Sequence, residues 1–346
     1  MSAVPRTMRV VVLYDTTDVR VDERPVPQPG PGELLVRIRA CGICSGEIMD
    51  WYVRRKAPFV LGHEPAGDVV AVGSGDSPRD DGGRAFRPGD RVALHHHAPC
   101  FACASCARGD YVQCATWRAT HLDPGGLAEY VRVPRENLGD TLVLPEGVSY
   151  EDATLVEPLG CVMKSLRRGG LQAGQTLYVV GAGVMGQLHV RAATVLGASV
   201  VASDYRQDRR ALAERNGARA CSPEDALGMF DDGGGADVTI CGPGEAAALR
   251  HAIAATRPGG TVVLFTPFRP GAPLEVDLND AYFRDLRLVA SYSCGPDDTR
   301  AALRLIADGL VRADDVGAVR FPLEAAPQAY RELREQRIVK PIVVFP

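Results

Sequence analysis

The stretch Leu177-Tyr178-Val179-Val180-Gly181-Ala182-Gly183-Val184-Met185-Gly186 is an apolar run that ends on three spaced glycines. It narrows the fold more than any other segment of the chain. Gly181 permits a tight turn, Gly183 lets a ligand approach the backbone, and Gly186 lets a following helix pack on the strand. A Gly-x-Gly-x-x-Gly match alone is weak, but here a strand runs into it and helical composition follows, which is the context the motif needs. Val184 and Met185 then fall in a first helical turn, where unpaired N–H groups and a positive dipole end suit a phosphate.

Asp204 closes the next apolar run, about 20 residues further on, where a carboxylate can bind both hydroxyls of a ribose. The pair of signals reads as a dinucleotide site rather than a bare glycine turn. A carboxylate there would repel a 2′-phosphate, so NAD is the expected cofactor. Arg206, Arg209 and Arg210 lie close by and keep NADP as the alternative. From Leu177 onward, apolar runs at 199–203, 237–241, 261–265 and 286–290 alternate with helical segments at 187–196, 207–216 and 246–256. Such alternation implies a parallel, doubly wound sheet with helices on both faces. The first part of the chain reads differently. Residues 8–14, 33–40, 69–73 and 90–94 have strand composition, and Cys41 is placed just past the second of these runs.

Two groups of residues suit a metal. Cys100, Cys103, Cys106 and Cys114 can form a tetrahedral thiolate site with no open position, hence a structural zinc. Unpaired thiols or an iron–sulfur cluster are the other readings of that spacing. The stretch Gly62-His63-Glu64-Pro65 sets an imidazole beside a carboxylate, with Cys41 ahead of it and Glu157 far behind. A thiolate, an imidazole and a carboxylate leave a fourth position free, the pattern of a catalytic zinc. With a nicotinamide cofactor, a Lewis acid that favours the deprotonated alcohol points to reversible alcohol oxidation. His95, His96 and His97 are expected to diverge, because side chains alternate faces along a strand. Cys44, Cys161, Cys221, Cys241 and Cys294 read as free thiols, and Trp51, Tyr52 and Arg54 as cleft-lining or ordinary surface groups.

These motifs together resemble the zinc-dependent medium-chain dehydrogenases, the alcohol, sorbitol and threonine dehydrogenase superfamily. The resemblance rests on Cys41-Gly42-Ile43-Cys44, Gly62-His63-Glu64, the four-cysteine lobe, Glu157-Pro158-Leu159 and Gly181 to Gly186. It implies an α/β architecture: a GroES-like β-barrel catalytic domain from 1–150 and 295–346, with a Rossmann domain inserted at 151–294. It implies two zinc ions per chain, with Cys41 and His63 as catalytic ligands and Glu64 as a fixed or exchangeable one. Glu157 stands where simple-alcohol enzymes carry cysteine, and its carboxylate resembles the polyol branch. The implied substrate is a secondary alcohol of a polyol, cyclitol or sugar-type molecule, amino-substituted ones included, lying between the two domains. An NADPH-dependent ketone reductase, or a silent zinc- and nucleotide-binding module, are the alternatives. The usual relay hydroxyl is replaced by Gly46 and the usual relay histidine by Met49, so Ser45 or a water is expected to carry the proton. A homodimer or homotetramer is implied as well.

Bulk properties agree with a globular enzyme. The chain has 346 residues, 46% of them hydrophobic and 24% charged, enough for about two domains. A net charge of -4 gives no attraction to nucleic acid or anionic membranes. The first residues carry no signal-peptide pattern, so a cytoplasmic location is expected, in which ten cysteines serve as ligands or free thiols.

Overall fold

The computed structural model describes residues 4–230, 234–274 and 276–346. The chain divides into two compact units, Met1–Gly160 with Cys294–Pro346, and Cys161–Ser293.

The first unit is built from two β-sheets around one core. In the larger sheet the strands run Ala318–Pro322, Lys340–Val344, Leu34–Gly42, Glu64–Val72, Arg91–Ala93 and Leu142–Val143, with Tyr130–Val133 also paired to Leu34–Gly42. A smaller sheet orders Asp18–Pro25, Thr7–Asp15 and Phe59–Val60. Backbone bonds from Val11 N to Leu127 O and from Leu61 N to Val11 O stitch this smaller sheet to neighbouring loops. Val10, Val12, Leu34, Val36, Ile38, Val69, Val131 and Val343 fill the interior, each at most 1% exposed. β-branched side chains suit such a pleated, enclosed surface.

Two strand limits differ from the sequence reading, and both matter for the site. The strand Leu34–Gly42 continues through Cys41 instead of stopping before it. The strand Glu64–Val72 begins at Glu64 and not at Val69, so His63 and Glu64 stand at a strand entrance.

The second unit is a six-stranded, wholly parallel sheet. Its spatial order is Arg219–Cys221, Ser199–Ser203, Thr176–Val180, Ala236–Cys241, Thr256–Leu264 and Arg287–Ala290. In chain order this is 3-2-1-4-5-6, the doubly wound arrangement, with its switch point beside the first strand. Helices Val184–Val195, Gln207–Arg215 and Ala246–Ala255 follow three of the strands. The Gly181 turn leaves the first strand at that switch point, where ligands of such sheets bind.

Among the described residues no helix is long and apolar enough to cross a membrane.

Candidate metal and cofactor sites

The four-cysteine lobe closes on itself. Cys103 stands at the N-cap of the short helix Ala104–Ala107 and Cys114 at that of Ala115–Ala119, and the four sulfurs lie within 4.8 Å of one another. Sulfur–sulfur distances are 3.5 Å for Cys103–Cys106, 3.6 Å for Cys114–Cys100 and 4.0 Å for Cys100–Cys106. Four thiolates about 2.3 Å from a tetrahedral zinc stand roughly 3.8 Å apart, so the donor set fits that ion. Burial opposes charge on Cys114, but the backbone N–H of Cys100 and other donors around it bring its thiol down to about 6. Cys106→Ser is expected to remove one zinc per chain and to make the segment between Cys100 and Cys114 sensitive to protease. Metal analysis and limited proteolysis check this, because a loop held by its ion unravels without it.

A second cluster gathers Cys44, His63 and Glu64, whose candidate ligand atoms all lie within 4.8 Å of one another. Cys41, the expected thiolate, is not among the residues of this cluster, and Cys44 takes its place. Residue 41 is still inside its strand, opposite Pro65, and its side chain is sealed in the barrel core at 0% exposure. Burial pushes its thiol well above the usual range. Cys44 instead falls just past the strand, at the cap of the turn Ser45–Ile48, where the chain swings toward His63. Its Sγ accepts a hydrogen bond from Gly46 N at 3.3 Å, which fixes the side chain on the His63 side of the turn.

Glu47 organises this cluster. Its carboxylate accepts from Cys44 N at 3.3 Å and Gly62 N at 2.8 Å, and lies 3.2 Å from His63 Nδ1. Burial works against the Glu47 charge, yet the bond from His63 and the two backbone donors hold it below the usual carboxylate range. With Nδ1 facing Glu47, His63 keeps Nε2 for an ion, the common outer-sphere arrangement for a ligand imidazole.

Glu64 is 2% exposed and forms a short contact from Oε2 to Lys340 Nζ. Its other oxygen, Oε1, is shut from solvent and has no hydrogen-bond partner among the described residues. A buried, unpaired carboxylate oxygen is costly. Beside a thiol and an imidazole, the residues present fit a cation. Gly42 makes room for the pair, since a Cβ there would lie 1.9 Å from Glu64 Oε2 and 2.7 Å from Lys340 Nζ.

Glu157, in the first turn of the helix Val156–Gly169, is not part of that tight cluster. The structure groups it with His95 and Cys294, ligand atoms again within 4.8 Å. Its charge is near enough to raise the Glu64 carboxyl, whose largest perturbation is burial. His95 Nδ1 stands 2.5 Å from Asp140 Oδ2, and Asp140 Oδ1 accepts from Thr299 at 2.6 Å. Ser45 is half-buried at the start of its turn.

In the parallel sheet, Gly181 has φ +89° and a Cβ at Gly186 would lie 2.0 Å from the Gly181 carbonyl oxygen. Gly183 caps the helix Val184–Val195 without a side-chain bond, and no atom lies within 4 Å of where its Cβ would be. Asp204 accepts from Ala182 N and Arg206 N, both at 2.9 Å, with Arg209 Nη1 3.7 Å away. The carboxylate is thereby fixed at the edge of the glycine turn.

Sequence reasoning passed over Cys44 and Lys340. The spacing Cys44-x-x-Glu47, a capping box, was the available signal for the first. A lone lysine opening the apolar strand Lys340–Val344 was the signal for the second, since a buried cation needs a partner.

Comparison with known proteins agrees with this geometry. Residues 30–145 match the alcohol dehydrogenase GroES-like domain, and 184–308 match the zinc-binding dehydrogenase domain. Sorbitol dehydrogenase of Gallus gallus is 30% identical over 95% of this chain and 94% of its own length. A proposed zinc-binding dehydrogenase of Sinorhizobium meliloti 1021, solved bound to NADP, superposes with a TM-score of 0.85 at 31% identity, covering 98% of this chain and 99% of that one. Galactitol-1-phosphate dehydrogenase of Escherichia coli gives 0.83 at 25% identity, covering 97% and 100%. The chain belongs to the zinc-dependent medium-chain dehydrogenase family. It is an NAD(P)-dependent oxidoreductase of the alcohol and polyol dehydrogenase type, with zinc and a nicotinamide dinucleotide as cofactors.

Proposed function

We propose that the chain oxidises a secondary alcohol of a polyol, cyclitol or sugar-type substrate to the ketone, reversibly, with NAD. The observation that carries this is the Cys44–His63–Glu64 cluster with its unpaired Glu64 oxygen, seen in a relative of sorbitol dehydrogenase. Bound there, zinc supplies Lewis acidity to the reacting oxygen. The residues of the chain do the rest. Glu47 orients His63, and Lys340 balances Glu64 so that a buried carboxylate survives beside the reacting centre. Glu157 adds a second carboxylate nearby, in keeping with a substrate rich in hydroxyls. With Gly46 and Met49 in place of the usual relay, the alcohol proton leaves through Ser45 or a water near Glu157. The first turn of Val184–Val195 binds the pyrophosphate, and Asp204 the adenosine ribose. An assembly of two or four copies belongs to the same proposal. Following NADH formation across a panel of polyols, cyclitols and aminosugars tests it. Turnover confined to simple primary alcohols would refute the substrate class.

Asp204→Ala is expected to raise the KM for NAD about tenfold, a loss near 1.4 kcal/mol. The KM for NADP should stay or fall, because the repelling charge is gone. Steady-state kinetics with both cofactors decide, and an equal loss for the two would contradict the ribose assignment.

A further inference from the structure

His95, His96 and His97 do not alternate as strand residues would. Their strand, Arg91–Ala93, has already ended, so strand alternation no longer sets their directions. His95 turns to Asp140, while His96 and His97 come together with His121 from a distant loop. The candidate ligand atoms of these last three lie within 4.8 Å of one another. Ring centroids are 4.6 Å apart for His96–His97, 5.8 Å for His96–His121 and 6.2 Å for His97–His121. Imidazoles bonded about 2 Å from one tetrahedral ion have centres roughly 5 Å apart, so small side-chain adjustments close the set.

The cluster is built rather than incidental. His97 Nδ1 donates to the Thr120 carbonyl at 2.7 Å, which fixes the tautomer and leaves Nε2 as a lone-pair donor. Ala98 N donates to Thr120 Oγ1 at 3.0 Å, stitching the two loops together. Asn137 Nδ2 donates to the carbonyls of both His95 and His96 at 3.0 Å, pinning the chain. His97 lies against Trp117, with centroids 4.2 Å apart, on the side of the four-cysteine lobe. His96 Nδ1 is closed to solvent and has no hydrogen-bond partner among the described residues.

We propose that His96, His97 and His121 form a third metal site, for a borderline divalent ion such as Zn²⁺ or Co²⁺, separate from the two zinc sites. Three imidazole nitrogens and no carboxylate suit such ions and disfavour Ca²⁺ or Mg²⁺. The bound ion keeps its full charge. It sits next to the catalytic cluster, since the His96 and His63 rings are 6.5 Å apart. Occupancy therefore slows turnover, because the second cation repels the catalytic ion and weakens its hold on Cys44, His63 and Glu64.

The test is a Co²⁺ titration of protein already holding its two zinc ions, followed by absorption and metal analysis. A third equivalent with nitrogen-type bands and no thiolate charge-transfer band is expected. His121→Ala, at an exposed position, and His96→Gln should each weaken it about tenfold or more. Added Zn²⁺ should inhibit the natural chain and inhibit His121→Ala less. Binding that stops at two ions, or a third ion held equally by both variants, would overturn the site. Cys44→Ala should keep the third site, so loss of the catalytic ion and loss of this one are read apart.

Discussion

Cys44→Ala is expected to cut kcat by about 10³-fold or more and to leave one zinc per chain instead of two. Losing a Lewis acid forfeits several kcal/mol at the transition state, and each 1.36 kcal/mol is tenfold in rate. The neighbouring change Cys41→Ala should behave in another way. Cys41 is a small buried group in the barrel core, so its truncation costs about 1–2 kcal/mol of stability and leaves both ions in place. Metal analysis with kinetics on the two variants separates them. If Cys41→Ala were the one to lose metal and turnover, the ligand assignment would be reversed.

Lys340→Met should be among the most destabilising single changes in the molecule. Lys340 and Glu64 are both sealed, with side chains 1% exposed, and each is the other's counter-charge. Removing one member of a buried pair leaves an uncompensated charge and costs about 3–5 kcal/mol. Converting both, Glu64→Gln with Lys340→Met, should restore much of that stability, since no bare charge then remains. Activity should not return with it, because Glu64 is part of the metal cluster. Denaturant unfolding of the single and double variants measures the first part, and kcat the second. A double variant as unstable as Lys340→Met would mean that packing around Gly42, not charge, is what the pair provides.

Five strands of the parallel sheet were legible as short apolar runs bounded by turn residues, whereas the sixth, Arg219–Cys221, is three residues long with an exposed arginine and gave no such run. Residues 199–203 match their strand residue for residue, and Gly181 to Gly186 sits on the expected turn. The barrel was harder, because its order depends on pairings between distant segments. Nothing local says that Lys340–Val344 lies between Ala318–Pro322 and Leu34–Gly42, yet that placement brings Lys340 to Glu64. Cys41 and Cys44 are three residues apart and chemically identical in sequence. Only the end of the strand at Gly42 separates a core thiol from the thiol of the Cys44–His63–Glu64 cluster. The histidine run shows the same limit, since the alternation rule stops applying once the strand has ended at Ala93.

Anomalous diffraction at the zinc edge, on crystals of the zinc-loaded protein, tests the central assignment most directly. One strong peak is expected within bonding distance of Cys44 Sγ and His63 Nε2, on the Glu64 side. A second is expected amid Cys100, Cys103, Cys106 and Cys114. A peak bonded to Cys41 Sγ, or no peak near His63, would contradict it.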